Sequence, residues 1–445
     1  MSFPLSHEVN VGDATEASQY NNLRRDALYL GGEPGASGSL AQLLAQGMGK
    51  PALSMVSATT VKLSASASNP FGLMIGGQIY AAAADVTLMI NSYGMTSPGR
   101  YGLWAVGQSD GSISLSAGAS GPDNSRQIGT FLWDGSGIIP GTLKTMAEYE
   151  AMAAVNVPQT VNGRLTLASG IPVPEDDITT ADELYFTPYG GNEISLRVGS
   201  VWELFTFSQL ELDLSGLSNG MPYDVFIGVS RNGLSLSASS WGSVPARSSA
   251  LVYVDGVRCS SMNTQLRYLG TIVKNSAGHG EDSATGRLLY NEYNRVPRPL
   301  LSVLDSSLTP TIAMNYWVPY YNEDAPRVRI LAPNADTELE LTGVGMSTTL
   351  SDSDTSSARA AAVGICRDMA MTAPYAGNAN CAPVGNFTFG NAPVTVSVRN
   401  FGAGFRGYHT YTLAFWTNYS SVKPAMLTFN SGVGSAPGLF GSVLG

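Results

Sequence analysis

The sequence predicts a mainly β protein: tandem β-sandwich-like modules with a short N-terminal helical leader and a C-terminal β domain. Glycine and proline make up about one residue in six, and only 13% of the 445 residues are charged, about half of the ~25% usual for globular proteins. Short apolar stretches alternate with Gly, Ser and Thr, which is typical of short strands joined by tight turns. At ~100–200 residues per domain, the length predicts several domains rather than one core.

Residues 1–48 are predicted to form the leader. Asp13, three positions before Glu16, is typical of a helix start, apolar residues then recur at helical spacing, and Gly31 is a stop signal. The helix is predicted over 14–30. One small helix cannot build a core of its own, so the leader is expected to pack on something else.

The rest of the chain is divided by changes in pattern. Strand-like runs give way to a brief helical pattern near 143–154 and then resume. We predict a first β-sandwich module over 49–142, a helical connector over 143–159, a second β-sandwich module over 160–298 and a C-terminal β domain over 299–445.

An internal repeat supports two modules. The strings at 101–106, 115–117 and 126–131 recur in the same order at 223–228, 236–238 and 267–272. The spacing from the first Tyr to the last Gly increases from 28 to 47 residues. The second copy is therefore predicted to carry an insertion in a loop, where sandwiches tolerate it.

Charge and hydropathy exclude several classes of partner. The formal charge is −10 and only five of the 24 basic residues are Lys, so there is no cation cluster for nucleic acid. Depletion of charge is typical of surfaces where chains meet, which predicts assembly. The most apolar stretch, 71–90, contains Gln78 and Asp85 and is interpreted as strands rather than a membrane span. The N-terminus lacks the features of a secretory signal, so synthesis in the cytoplasm is expected.

The cysteines and histidines predict neither metal nor cofactor. Cys259, Cys366 and Cys381 are far apart in sequence and none lies near one of the three histidines. Three free buried thiols are the preferred interpretation, with a bridge between Cys366 and Cys381 as the alternative.

No catalytic residues are predicted, and the chain is not expected to be an enzyme. A GxGxxG string at 402–407 is followed by strand-like alternation instead of the helix that phosphate binding requires. Acidic groups at 175–177, 323–324 and 352–354 lie in apparent loops and favour solvated turns over a paired-carboxylate site. His279 and His409 are not expected to be catalytic.

Two aromatic clusters, near 316–321 and 408–419, are candidates for contact with a receptor or a neighbouring subunit. Packing in a core or between subunits is the alternative. The residues singled out are Trp317, Tyr320, Tyr321, Tyr408 and Trp416.

Five separated strings occur in an order that resembles a module of tailed-bacteriophage tail fibres and related virion appendage proteins. They are RLTL at 164–167, LYFTPY at 184–189, GSVW at 199–202, RYLGTI at 267–272 and YNEYNRVPR at 290–298. The Gly-rich C-terminal segment is similar to the terminal domain of such fibres. One departure is Tyr290, where the family usually has Trp before Asn.

The resemblance implies a virion structural protein, made in the host cytoplasm and assembled as a homotrimer. Residues 1–48 would attach to other virion proteins of the tail or head, and the C-terminal domain would face a host surface glycan or protein. A head-attached fibre or capsid decoration protein is one alternative. A tailspike-type glycan-degrading enzyme is a second, less favoured because no paired carboxylates are evident.

Overall fold

The computed structural model describes most of the chain. The described residues are 16–31, 50–153, 158–304, 311–312, 318–319, 325–334, 337–347, 361–368, 381–387, 392–399, 406–417, 425–426 and 438–445. Strands account for 57% of residues and helices for 6%, which confirms the mainly β class with a short N-terminal helix. In this part of the chain no helix is both long and apolar enough to span a membrane.

The helices lie where the sequence patterns place them. Helix α1 spans Ala17–Gly31 and helix α2 spans Met146–Ala153. Helix α2 begins with a capping box: the Glu148 amide donates to the Thr145 hydroxyl (3.3 Å), and the Glu148 carboxylate accepts from the Thr145 amide (2.8 Å). The amide hydrogen bond is the largest cause that lowers the pKa of Glu148.

The strands fall into three consecutive groups. The first group is β1 (Ala52–Ser57), β2 (Thr60–Ser64), β3 (Phe71–Ile75), β4 (Gln78–Ala82), β5 (Val86–Met89), β6 (Gly99–Gly107), β7 (Ile113–Gly118), β8 (Ser125–Trp133) and β9 (Lys144–Thr145). The second is β10 (Gly163–Thr166), β11 (Ile178–Ala181), β12 (Glu183–Pro188), β13 (Glu193–Val198), β14 (Val201–Thr206), β15 (Leu210–Asp213), β16 (Pro222–Ser230), β17 (Gly233–Ser243), β18 (Ala246–Arg247), β19 (Leu251–Val254), β20 (Val257–Ser260), β21 (Arg267–Val273), β22 (Gly280–Ser283), β23 (Gly286–Arg287) and β24 (Leu289–Asn291). The third is β25 (Pro297–Val303), β26 (Thr311–Ile312), β27 (Val318–Pro319), β28 (Arg327–Ala332), β29 (Leu339–Ser347), β30 (Ala361–Arg367), β31 (Cys381–Phe387), β32 (Ala392–Arg399), β33 (Gly407–Thr417), β34 (Ala425–Met426) and β35 (Gly438–Leu444).

The first two groups contain a structural repeat. In the first repeat (residues 52–145) the sheets have the orders β1-β2-β5 and β7-β6-β8-β9, with β3-β4 as a separate hairpin. In the second repeat (residues 163–291) the corresponding orders are β10-β12-β15 and β17-β16-β21, with β24 also paired to β21 and β13-β14 as the hairpin. The repeated strings found in the sequence lie on these corresponding strands.

The register of the central strand pair is the same in both repeats. Strands β6 and β8 pair antiparallel with one bulge, and so do β16 and β21. The pairs that flank the bulge are Leu103 with Gly129 and Trp104 with Gln127 in the first repeat, and Val225 with Gly270 and Phe226 with Tyr268 in the second. Because bulges fix register, these matched pairs make the sequence repeat a repeat of backbone structure.

The core of the first repeat follows the period of two expected for strands with one buried face. In β7 the side chains of Ile113, Leu115 and Ala117 are buried, and the residues between them are only partly covered. All three belong to an apolar cluster that also contains Leu63 and Phe131.

The third group forms a four-stranded sheet of order β25-β35-β29-β32 and contributes most strands of an eight-stranded sheet that also includes β11, β22 and β23. By internal contacts the chain divides into two compact units. One comprises Met1–Thr160, Ser195–Phe205 and Gly228–Leu234, and the other comprises Val161–Ile194, Thr206–Ile227 and Ser235–Gly445. The domain boundaries drawn from the sequence stay predictions.

The expectation of three free thiols is wrong. Cys259 is free and buried, whereas Cys366 is disulfide-bonded. The antiparallel pairing of β30 with β31 places Cys381 directly opposite Cys366, and directly opposed positions on neighbouring strands are within the Cα separation that a disulfide requires.

Candidate functional site

The two repeats differ most in the length of one connection: the segment that joins β7 to β8 in the first repeat and β17 to β21 in the second. In the first repeat a short loop, 119–124, joins β7 to β8, whereas in the second repeat residues 244–266 join β17 to β21 and contain β18, β19 and β20. We call residues 244–266 the insertion. Strands β19 and β20 form an antiparallel hairpin that extends the sheet beyond β21.

The insertion lines a pocket of about 450 Å³. We call it the insertion pocket, and all of its lining residues lie in one compact unit. The lining residues are Pro245, Ala246, Arg247, Ala250, Leu251, Tyr253, Arg258, Asn334 and Arg406. Three guanidinium groups, one exposed aromatic ring and one amide are therefore placed around a single cavity.

Arg247 anchors the insertion to the second repeat. Its Nε donates to the buried carboxylate of Asp224 (2.7 Å), which also accepts from the Thr271 hydroxyl (2.7 Å). The guanidinium carbon lies 4.6 Å from the ring centroid of Trp241 and 5.6 Å from that of Tyr268. A buried cation paired with a carboxylate and enclosed by aromatic faces is compensated for the loss of water.

The ionisation of this cluster is fixed by burial and charge together. Burial by itself lowers the pKa of Arg247, but the neighbouring Tyr268 and Asp224 outweigh it and the pKa is raised. Burial is the main cause that raises the pKa of the Tyr268 hydroxyl well above its ordinary value. Arg247 is therefore a permanent cation and Tyr268 a neutral hydrogen-bonding group at physiological pH.

Arg258 fixes the position of Tyr253, the aromatic residue among the described lining residues, which we call the aromatic wall of the pocket. It lies opposite Tyr253 in the β19–β20 register, and its Nε donates to the Tyr253 hydroxyl (2.7 Å). Its Nη1 donates to the Glu292 carboxylate (3.0 Å), which also accepts from the Asn334 amide (3.2 Å). The Arg258 guanidinium carbon also lies over the Tyr253 ring, 5.4 Å from its centroid. Tyr253 is nevertheless 66% exposed, so the rest of the ring is accessible to a ligand while its hydroxyl is held.

Asn334 connects the two arginines into one network. Its side-chain oxygen lies 3.5 Å from Nη2 of Arg247, and its amide group donates to the Tyr290 hydroxyl (3.2 Å) as well as to Glu292. Arg247 also donates to the Pro333 carbonyl (3.0 Å). The polar wall of the pocket is thus tied to the second repeat and to the segment after β28 by hydrogen bonds.

Arg406 reaches the pocket because the next residue is glycine. Gly407 begins β33 with φ +121°, and a Cβ at this position would lie 2.6 Å from the carbonyl oxygen of Val244. Only a residue without a side chain fits this close approach in this backbone conformation. The start of β33 is therefore packed against the insertion, and exposed Arg406 lies at the rim of the pocket.

Of the five aromatic residues singled out in the sequence, only Tyr408 has a described side chain, and it is not among the described residues that line this pocket. Trp317, Tyr320 and Tyr321 lie outside the described residues, and Trp416 lies in β33 opposite Ala362, its side chain outside the described part. Tyr408 is half-buried against a small apolar cluster, and burial is the main cause that raises its pKa. For Tyr408 these surroundings agree with packing in a core, the alternative to contact with a receptor.

Three of the acidic and histidine residues considered in the sequence form hydrogen bonds or ion pairs within the fold. Asp177 accepts from the Ala284 amide (2.8 Å), His279 pairs with Asp182 (2.7 Å), and His409 pairs with Asp368 (2.7 Å). Positions 323–324 and 352–354 lie outside the described residues. In the described ranges, no group of three or more His, Cys, Asp or Glu could hold a metal ion. The GxGxxG string runs directly into strand β33, as the alternation predicts.

No protein-family model and no curated protein matches this sequence. Among solved structures, the infectious bursal disease virus Gx strain is similar at a TM-score of 0.22 and 10% identity, over 64% of this chain and 70% of that chain. A glycoside hydrolase family 43 arabinoxylan arabinofuranohydrolase from Bacillus subtilis is similar at a TM-score of 0.16 and 11% identity, over 92% of this chain and 82% of that chain. Likenesses of this size carry no argument about fold or function.

Proposed function

We propose that this protein is a non-enzymatic structural component of a bacteriophage virion, of the tail-fibre or tail-attached appendage type, and that the insertion pocket contributes to attachment to the host surface. The observation that carries the attachment role is the insertion itself. The second repeat keeps the strand pairing of the first and adds a hairpin that builds a pocket with an exposed aromatic ring.

The chemistry of the pocket supports binding rather than catalysis. Its polar groups are guanidinium groups, one amide and one phenol, a set that holds ligands by hydrogen bonds, charge and stacking. A single site of this kind would bind weakly, and several copies on one appendage would compensate through effective concentration. The disulfide at Cys366 suits a protein that works outside the reducing cytoplasm.

The attachment role is tested by adsorption of phage that carry Tyr253→Ala. Because Tyr253 is 66% exposed, the variant keeps its fold and loses the ring, and we expect adsorption to fall about tenfold, equivalent to about 1.4 kcal/mol. Met262→Ala is the matched control, since Met262 is an exposed residue of the same insertion and does not line the pocket. Equal adsorption of the two variants would remove the attachment role.

The virion role is tested on purified particles. Mass spectrometry and antibody-labelled electron microscopy are expected to find the chain on the tail, and light scattering of the purified protein is expected to give the mass of three chains. Deletion of residues 1–48 should abolish incorporation. A stable monomer at micromolar concentration would contradict the trimer, and normal incorporation of the truncated chain would contradict an anchoring role for residues 1–48.

A further inference from the structure

Building on the proposed attachment role, we infer that the insertion pocket binds an anionic saccharide. The ring of Tyr253 would stack on the face of a sugar, and the guanidinium group of Arg406 would bind an acidic group on that sugar or on its neighbour. The charges, the burial and the hydrogen bonds around the pocket together indicate this chemical class of ligand.

The described side chains that line the pocket carry three positive charges and no negative charge. Two of the three cations are already paired with carboxylates that are not among the lining residues: Arg247 with Asp224 and Arg258 with Glu292. Arg406 forms no ion pair with any carboxylate in the described ranges and is exposed at the rim. With respect to the described residues, one cationic group of the pocket is thus available for a ligand.

This local positive charge stands against the charge of the whole protein. The formal net charge is −10, so the overall field repels anions at long range. An anion would be bound here only through short-range contacts with the pocket. A guanidinium group provides such contacts, because its planar fork of donors matches both carboxylate and phosphate oxygens.

The aromatic wall is organised before any ligand arrives. The hydroxyl of Tyr253 is held by Arg258, Arg258 is held by Glu292, and Glu292 is held by Asn334. A ligand that stacks on the ring therefore does not have to order that side chain, and less conformational entropy is lost on binding. An exposed ring with a fixed hydroxyl suits a ligand with an apolar face and polar edges, such as a sugar.

A nucleic acid fits these features less well. Binding of single strands requires a basic groove that follows the phosphates and several aromatic side chains for successive bases. The pocket offers one exposed ring and one rim cation without a carboxylate partner among the described residues. One ring and one available cation match one stacked sugar and one acidic group on that sugar or its neighbour.

The test measures binding of small saccharides to the full-length protein by isothermal titration calorimetry at low salt. The probes are trigalacturonate, its neutral methyl ester, and glucose 6-phosphate beside glucose. We expect trigalacturonate to bind at least tenfold more tightly than the ester. Tighter binding of glucose 6-phosphate than of glucose also supports the inference and identifies phosphate as an acceptable acidic group.

Two variants assign the contacts. Arg406→Gln is expected to weaken trigalacturonate binding about tenfold and to abolish the difference between acid and ester, while Tyr253→Ala is expected to weaken both by a similar factor. Arg126→Gln is the matched control, because Arg126 is an exposed arginine of the first repeat. The control should bind all probes as the unmodified protein does.

The outcomes separate this inference from the attachment role. Equal binding of acid and ester, unchanged binding of the acid by Arg406→Gln, or no binding of any acidic probe at millimolar concentration would each overturn the anionic saccharide, even if Tyr253→Ala still lowers phage adsorption. Conversely, acid-selective binding that depends on Arg406, combined with unchanged adsorption by all pocket variants, would overturn the attachment role and leave the ligand class standing.

Discussion

The first and second repeats have the same strand pairs and the same bulge but differ at a buried position of the central strand pair. Opposite Thr130 the first repeat has Gly102, whereas opposite the corresponding Thr271 the second repeat has Asp224. The carboxylate of Asp224 is the group that receives Arg247 from the insertion. A shared framework thus accommodates an added loop where a buried charge holds it. The loop extends the sheet with β18, β19 and β20 but leaves the shared strand pairs unchanged.

The interiors of the two repeats differ accordingly. Among described residues 50–153 the buried polar residues are Thr130 and Thr142, whereas the second repeat buries several charged groups, including Asp224, Arg267 and Arg164. Buried charges stabilise a fold only when they are paired and hydrogen-bonded. The second repeat should therefore be the more sensitive of the two to single polar substitutions.

The largest effect is expected for Asp224→Ala. This change leaves the Arg247 guanidinium buried without its carboxylate and removes an acceptor from Thr271. Breaking a buried pair in this way costs about 3–5 kcal/mol. Because the protein has more than one compact unit, the measurement is native-state hydrogen exchange of amides in β16 and β21, which reports local opening free energies.

Two further variants sharpen this result. Replacing both partners, as in Asp224→Ala with Arg247→Met, is expected to recover much of the loss, because two apolar groups leave no unpaired charge. Asp85→Ala in the first repeat is the control, since its ion pair with Lys62 is solvent-exposed and exposed pairs contribute little. A loss for Asp224→Ala no larger than that of the control would show that Arg247 is not held by Asp224.

A smaller difference is expected between Gly270→Ala and Gly129→Ala, at corresponding positions. A Cβ at 270 would lie 2.0 Å from the Tyr290 carbonyl oxygen, whereas a Cβ at 129 would lie 2.5 Å from a Leu53 methyl and 2.7 Å from the Lys144 carbonyl oxygen. Overpacking costs about 1–3 kcal/mol. We expect the upper end for Gly270→Ala and the lower end for Gly129→Ala. Equal losses of local opening free energy, measured by hydrogen exchange in β8 for Gly129→Ala and in β21 for Gly270→Ala, would contradict this ranking.

Local sequence patterns were sufficient to predict the repeat and α2 but not the contacts between strands. The repeat was visible because strand-forming strings recur in order, and α2 was visible because a helical pattern of apolar residues occurs near 143–154. Both signals lie within short segments. The bulge and the close approach at Gly270 depend on the neighbouring strands, so no local pattern predicts them.

The pocket could be predicted only in part. The greater spacing in the second copy located the insertion, but the pocket joins Tyr253 and Arg258 to Arg406, which is distant in sequence. The Cys366 bridge depends in the same way on the β30–β31 register. Aromatic clustering pointed to Tyr408, whose side chain packs against a core cluster, because composition alone does not show which face of a strand is buried.

The smallest loss of stability is expected from a substitution in one of two turns that follow the corresponding strands β8 and β21. After β8, Asp134 accepts from the amides of Ser136 and Gly137 (both 2.8 Å), and after β21 the amide oxygen of Asn275 accepts from Ala277 (3.0 Å) and His279 (3.1 Å). Turns at corresponding places, one residue different in span, are thus stabilised by an acid in one repeat and by an amide in the other. Asp134→Asn should therefore fold, with a loss of ~1 kcal/mol at neutral pH because hydrogen bonds to a charged acceptor are the stronger ones.

The pH dependence distinguishes the two turns. Partial burial by itself raises the pKa of Asp134, but the hydrogen bonds from Arg231, Ser136 and Gly137 outweigh it and the pKa is lowered from 3.8. A carboxyl with a lowered pKa in the folded state contributes stability above its unfolded pKa and loses it as the pH falls through the folded pKa. Between pH 6 and pH 2 the melting temperature should therefore decline less steeply for Asp134→Asn than for the unmodified protein. Asn275→Ala should lower stability by the same amount at pH 6 and at pH 2. Parallel declines for Asp134→Asn and the unmodified protein would show that the first turn does not depend on the charge of its carboxylate.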